Sequence, residues 1–140
     1  MDSASVIATI GVTSTAKQLC LWDILLPTHE ACIHTETLEQ EPTCLLYSPR
    51  HHQIYIGEKK GDLKIFDFRK RKIMRRISGE HTGAITCLTT DVAEDFFISS
   101  CSDGIIKVWD SNTFNCLYNL KKSKTAITDM DITGTFLYYA

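Results

Sequence analysis

Residues 98–110 read ISSCSDGIIKVWD, and the organisation of the whole chain follows from how that stretch recurs. Two runs of small or β-branched residues flank Ser102-Asp103-Gly104, the composition of two short strands joined by a tight turn. The last six residues, IIKVWD at 105–110, have counterparts in QLCLWD at 18–23 and DLKIFD at 62–67. Their closing aspartates, Asp23, Asp67 and Asp110, stand 44 and 43 residues apart. A second register keeps step: Cys44 of TCLL and Cys87 of TCLT are 43 residues apart, and Leu21, Ile65 and Val108 hold matching positions. A period of this length is that of a four-stranded propeller blade.

Between the markers, alternating or β-branched runs are broken by Gly, Pro, Asp, Ser and charge, as in successive hairpins. The pattern predicts strands at VIATI, QLCLW and ACIHT in a first, incomplete blade (residues 1–38). TCLLY, QIYIG, DLKIF and KIMRRI fill a second (39–80), and AITCLTT, FFISS, IIKVW and NCLYNL a third (81–122). AITDMDI and FLYYA begin a fourth (123–140). No segment sustains a helical period, so the fold class is all-β: a β-propeller segment of about three four-stranded blades. Propeller rings close with about four to eight blades, so the ring is expected to be incomplete and the chain to be a piece of a longer protein.

Composition narrows the function. With 140 residues, 44% of them hydrophobic, and a formal charge of −2, nothing points to nucleic acid. The opening MDSASVIATIG lacks a basic n-region and no stretch approaches the ~18 apolar residues of a membrane span, which reads as a cytoplasmic protein. Six cysteines occur singly, without C-x-x-C pairs, as small buried hydrophobes of a reducing compartment do. His29, Cys32 and His34 approach metal-ligand spacing, but they fall in a linker without a fourth partner, so neither metal nor cofactor is expected. Glu36, Glu39 and Glu41 read as the same solvated linker. No phosphate loop, H-E-x-x-H helix or paired catalytic carboxylate is present.

Gly79-Glu80-His81, followed by ISSCSDGIIKVWD, resembles the WD-repeat family. The resemblance implies a buried hydrogen-bonded tetrad of His81, Ser99, Asp103 and Trp109, with Trp22-Asp23, Phe66-Asp67 and Trp109-Asp110 in the WD-box positions. A buried His and Asp need partners to offset desolvation, and a hydroxyl and an indole N–H supply them. Ser, His and Asp are also the residue types of a hydrolase triad, yet no G-x-S-x-G elbow or oxyanion hole accompanies Ser99. In the second repeat the Asp and Ser positions hold Lys60 and Ile56, with no preceding His. The first repeat lacks a matching turn Asp.

Two surface features are candidates for partner binding. RKRKIMRR at 69–76 places six basic residues in eight, with Arg69, Arg71, Arg75 and Arg76 the first candidates to meet an acidic partner, a phosphoinositide surface or an import receptor. Equally, an outer strand carries Lys and Arg to prevent edge pairing. Lys121, Lys122 and Lys124 form a smaller basic group. Phe66-Asp67-Phe68-Arg69 resembles the W-D-x-R box by which some WD-repeat proteins dock on the adaptor of cullin ubiquitin ligases, so the alternative function is a ligase substrate receptor.

LCLWDILLP at 19–27, YSPRHHQIYIGEKKGDLKIFDFRKRK at 47–72 and HTGAITCLTTDVAEDFFISSCSDGIIKVWD at 81–110 are similar to the C-terminal WD-repeat region of the DmX-like, or rabconnectin, family. That resemblance implies a non-catalytic scaffold that associates with the vacuolar proton-pumping ATPase and promotes its assembly. It also implies Rab regulators as partners, and a cytoplasmic location at endosomal or synaptic vesicles reached only through partners.

Overall fold

The computed structural model describes residues 5–121, 124–133 and 136–139, so Lys122 and the outermost ends of the first, third and fourth predicted blades lie outside the described residues. Among the described residues the regular structure is all strand, in sheets of antiparallel neighbours. The chain divides into two compact units, residues 1–42 and 43–140.

The first unit holds β1 (Val6–Val12), β2 (Lys17–Asp23) and β3 (Cys32–Thr37) in the order β1-β2-β3. The Thr13 hydroxyl accepts the Ala16 N–H at 2.9 Å, closing the β1–β2 hairpin. Leu19 and Leu21, two apart on β2, are both fully buried, as the period-2 geometry of a strand places them. Of the two readings of this stretch the strand at ACIHT holds and the linker does not: Cys32, His34 and Glu36 lie on β3, which pairs with β2 through Cys20↔Thr35 and Trp22↔Cys32. Ile33, Thr35 and Thr37 explain this, because β-branched residues at every second position favour the extended chain over a loop.

The second unit contains two full four-stranded sheets. One is β4 (Pro42–Ser48), β5 (Gln53–Glu58), β6 (Leu63–Asp67) and β7 (Lys72–Ile77). The other is β8 (Ile85–Thr90), β9 (Phe96–Cys101), β10 (Ile105–Asp110) and β11 (Cys116–Lys121). β12 (Met130–Thr133) and β13 (Phe136–Tyr139) form a two-stranded ladder after them. In all three larger sheets the register shifts immediately before the aromatic of the repeat, between Leu21 and Trp22, Ile65 and Phe66, and Val108 and Trp109. A bulge there increases the local twist and lets the aromatic face inward.

The core of this unit is an interface between sheets. Tyr55, Leu63 and Ile65 of the first pack on Leu88, Phe97, Trp109 and Phe114 of the second. Tyr55 stacks on Phe97 at 4.4 Å between ring centroids, and Phe97 lies parallel to Trp109 at 6.0 Å. The far face of the second sheet repeats the arrangement: Ile98 and Ile106 meet Ile127 and Met130. The middle strands are therefore covered on both faces, and β5 is buried at every position.

Gly61 and Gly104, 43 residues apart, occupy the matching β5–β6 and β9–β10 turns with φ of 91° and 77°. These left-handed values are easily reached only without a side chain.

Candidate functional site

β9, β10 and the segment before β8 bring His81, Ser99 and Trp109 together. The Trp109 indole N–H donates to Ser99 Oγ at 2.8 Å, and His81 Nε2 lies 2.7 Å from the same oxygen. Ser99 is wholly buried, with His81 and Trp109 almost so. Asp103 is placed differently from the expected tetrad. It sits in the β9–β10 turn, exposed, and its carboxylate accepts the hydroxyl of Thr82, the residue after His81. His81 Nδ1 is buried without a hydrogen-bond partner. The Thr82 hydroxyl gives the Asp103 carboxylate a hydrogen-bond partner in the turn, so the carboxylate is satisfied without the imidazole. Burial foremost, helped by the Lys107 ammonium, lowers the His81 pKa from 6.5 to about 4, so the ring is neutral near pH 7.

This arrangement does not suit acyl transfer. The Ser99 hydroxyl is locked between an imidazole and an indole, with no solvent path to a substrate, and the base lacks an orienting acid on Nδ1.

The β1–β3 sheet carries a partial copy that spacing did not reveal. Trp22 Nε1 donates to Thr9 Oγ1 at 2.8 Å, the same bond in the same place. Thr9 precedes Trp22 by 13 residues and Ser99 precedes Trp109 by 10, because the β1–β2 hairpin is longer. In the β4–β7 sheet Phe66 and Ile56 replace the indole and the hydroxyl, and both are buried. A pair of apolar side chains leaves no polar group without a partner, so the exchange is tolerated.

The aspartates of the WD boxes share one task. Asp110 Oδ1 accepts the N–H groups of Asn112 at 2.8 Å and Thr113 at 2.9 Å. Asp67 does the same for Arg69 and Lys70, and Asp23 takes the N–H of Leu25 at 3.0 Å. Each carboxylate thus folds the turn that follows its strand. The N–H groups of Thr113 and then Asn112 hold the Asp110 carboxyl below the ordinary range.

The four candidate arginines lie on the β6–β7 turn and on β7, the outer strand of its sheet, and all are exposed. Arg69 reaches His52 Nε2 at 2.6 Å, and Arg75 covers the Phe114 ring at 5.7 Å from its centroid. Arg71 takes the left-handed conformation, φ 52°, that Phe114 takes one period later at φ 60°. Of the smaller basic group, Lys124 is exposed. Phe66, the first residue of the W-D-x-R-like box, is fully buried.

Six thiols are free, and burial raises the Cys44 pKa to about 11, which suits a packing role. No group of three or more metal-ligating side chains occurs among the described residues, and no helix among them is long and apolar enough to cross a membrane.

The WD domain, G-beta repeat family model matches residues 72–110, which span the network just described. The chain carries a WD repeat. It is 32% identical over 119 residues to DmX-like protein 1 of Mus musculus, covering 84% of this chain and 4% of that relative. Human DmX-like protein 1 is 30% identical over the same share. WD repeat-containing protein 3 of Homo sapiens is 34% identical over 107 residues, 72% of this chain and 11% of that protein. The chain therefore spans only a small part of the relatives it matches. Among solved structures, the computationally designed Ika8 protein superposes with a TM-score of 0.81 at 21% identity, covering 99% of this chain and 41% of that one. At that identity the likeness speaks to the fold alone. Residues 72–110 are thus a WD repeat, the fold is of the β-propeller type, and the chain is similar in sequence to the DmX-like proteins.

Proposed function

We propose that the chain is a non-catalytic interaction segment of a DmX-like scaffold that promotes assembly of the vacuolar proton-pumping ATPase. The observation that carries this reading is the similarity to DmX-like protein 1 over 84% of the chain. The buried, doubly held Ser99 hydroxyl supports a structural rather than a catalytic role for its network. In this reading the protein works in the cytoplasm and reaches endosomal or synaptic vesicles through pump subunits and Rab regulators.

Strands of a propeller are committed to packing, so recognition falls to exposed turns and outer strands. Arg69, Arg71, Arg75 and Arg76 form the densest cationic surface and are the residues proposed to meet an acidic face of a pump subunit. The test is co-precipitation of pump subunits with the full-length protein, wild type against the quadruple Arg-to-Ala variant. Capture that falls in the variant, and falls for wild type between 0.1 and 1 M salt as the Debye length shrinks from ~10 to ~3 Å, supports the reading. Unchanged capture removes this surface from the interface. Capture of a ligase adaptor instead favours the substrate-receptor alternative, which the burial of Phe66 disfavours because only Asp67 to Arg69 are left to dock.

A further inference from the structure

We infer, resting on the reading of the arginine-bearing hairpin as an interaction surface, that the outer edge of β7 takes up an extended acidic segment of a partner protein as an added strand. That reading supplies the place; the backbone and the charge supply the mode and the class of partner.

β7 ends its sheet, in the order β4-β5-β6-β7, so among the described residues its backbone pairs only with β6. Such an edge presents N–H and C=O groups on which another chain can build. Lys72, Met74, Arg75 and Arg76 are exposed along it, as are residues 69–71 in the turn before. No acidic residue occurs between Asp67 and Glu80. Both of those are engaged, Asp67 by the N–H groups of Arg69 and Lys70, and Glu80 by the Lys107 ammonium.

Cations on an outer strand can serve merely to repel other strands. The other outer strands of this chain do without them. β3 and β11 end their sheets as β7 does. β3 reads CIHTET, without Lys or Arg, and β11 reads CLYNLK, with one Lys and with Leu117 and Tyr118 48% and 64% exposed. The six Lys and Arg residues at 69–76 therefore answer to something other than edge protection.

The strand register defines the shape of partner they suit. Lys72 opposite Asp67 and Arg75 opposite Ile65 share one face of the sheet, and Arg76 opposite Lys64 lies on the other. An added strand carries side chains to both faces, so its carboxylates reach both sets while its backbone completes the edge. A lipid headgroup layer has no backbone to offer that edge. Arg75 is already held over the Phe114 ring, 5.7 Å from its centroid, which leaves less ordering to be done on binding. A second copy of β7 is a poor occupant, since like charges directly opposite one another repel.

The experiment measures fluorescence anisotropy of a labelled peptide of alternating Val and Glu with the full-length protein. A second form of the peptide, N-methylated at two adjacent central amides, keeps the charge but blocks both strand edges. The expected result is that the first peptide binds and slows amide exchange across residues 72–77, and that the methylated form binds about tenfold more weakly. The double variant Lys72→Glu, Arg75→Glu should lose the peptide by a similar factor and bind one of alternating Val and Lys instead, which also shows that the variant is folded. Equal binding of the methylated peptide would overturn strand addition and leave the cationic surface to its own pump-capture test. No binding of the first peptide, or binding of phosphoinositide vesicles in its place, would overturn the inference as well. Peptide binding with pump capture unaltered in the quadruple arginine variant would support the added strand and strike only the pump as its source.

Discussion

The Trp22 indole donates to Thr9 Oγ1 at 2.8 Å, and Trp109 makes the same bond to Ser99 in its own sheet. The difference lies in what else the acceptor holds. Ser99 also meets His81 at 2.7 Å and is wholly buried, whereas Thr9 is exposed. Ser99→Ala therefore strands two buried polar groups, at about 1–3 kcal/mol each, and should cost about 2–5 kcal/mol. Thr9→Val exposes one half-buried N–H that water can reach, and should cost less than about 1 kcal/mol. Urea denaturation of the two variants checks the contrast, and similar costs would mean that Ser99 is not a hub.

Trp109→Ala should destabilise by about 3–5 kcal/mol, since a large aromatic wedged against Phe97 leaves a cavity that the sheets cannot close. Trp22→Ala should cost less, because one face of Trp22 already borders open space. Denaturant midpoints measure both. A Trp109→Ala effect within ±0.5 kcal/mol, the range of ordinary surface substitutions, would contradict the core position of this side chain.

What the sequence disclosed and what it hid have physical causes. The strands around Trp22, Phe66 and Trp109 were legible because their period-2 patterning and their 43- to 44-residue recurrence are local properties. Thr9 was not, since counting ten residues back from Trp22 lands on Val12, and the length of a hairpin is not encoded in its flanking strands. Asp103 could be placed in its turn, but the choice of Thr82 over His81 as its partner depends on the path of the chain before β8. Lys64 and Lys107 are cations in strands of otherwise apolar character. Both are buried, because a middle strand in stacked sheets has no solvent face. A cation between apolar neighbours at the same repeat position twice was the available signal.

His81 makes stability depend on pH in a defined direction. Its pKa is about 4 in the fold against 6.5 unfolded, so between these values the unfolded chain binds the extra proton. The stabilisation is fully present above about pH 6.5 and is lost as pH falls towards 4, by about 3 kcal/mol in all at 1.36 kcal/mol per pKa unit. His81→Gln, neutral throughout, should remove that part of the slope. Equilibrium unfolding of both proteins at pH 4.5, 5.5 and 7 is the measurement, and parallel curves would show that His81 is not the group responsible.

Lys64 and Lys107 occupy one repeat position but answer to different acids. Lys64 Nζ lies 2.9 Å from Glu58 Oε1 with both side chains buried, whereas Lys107 lies 3.0 Å from Glu80, whose side chain is 45% exposed. Removing one partner of a buried pair leaves an uncompensated charge, so Lys64→Met should cost about 3–5 kcal/mol. Lys107→Met leaves Glu80 free to turn to water, and also removes the ammonium that depresses the His81 pKa, so it should cost much less. Replacing Glu58 together with Lys64 by methionine should recover most of the loss, because apolar substitutes for a buried ion pair are often neutral or stabilising by about 1–4 kcal/mol. Thermal and urea unfolding of the two single variants and the double variant test this. A double variant no more stable than Lys64→Met would mean that the position demands charge for a reason other than the pair itself.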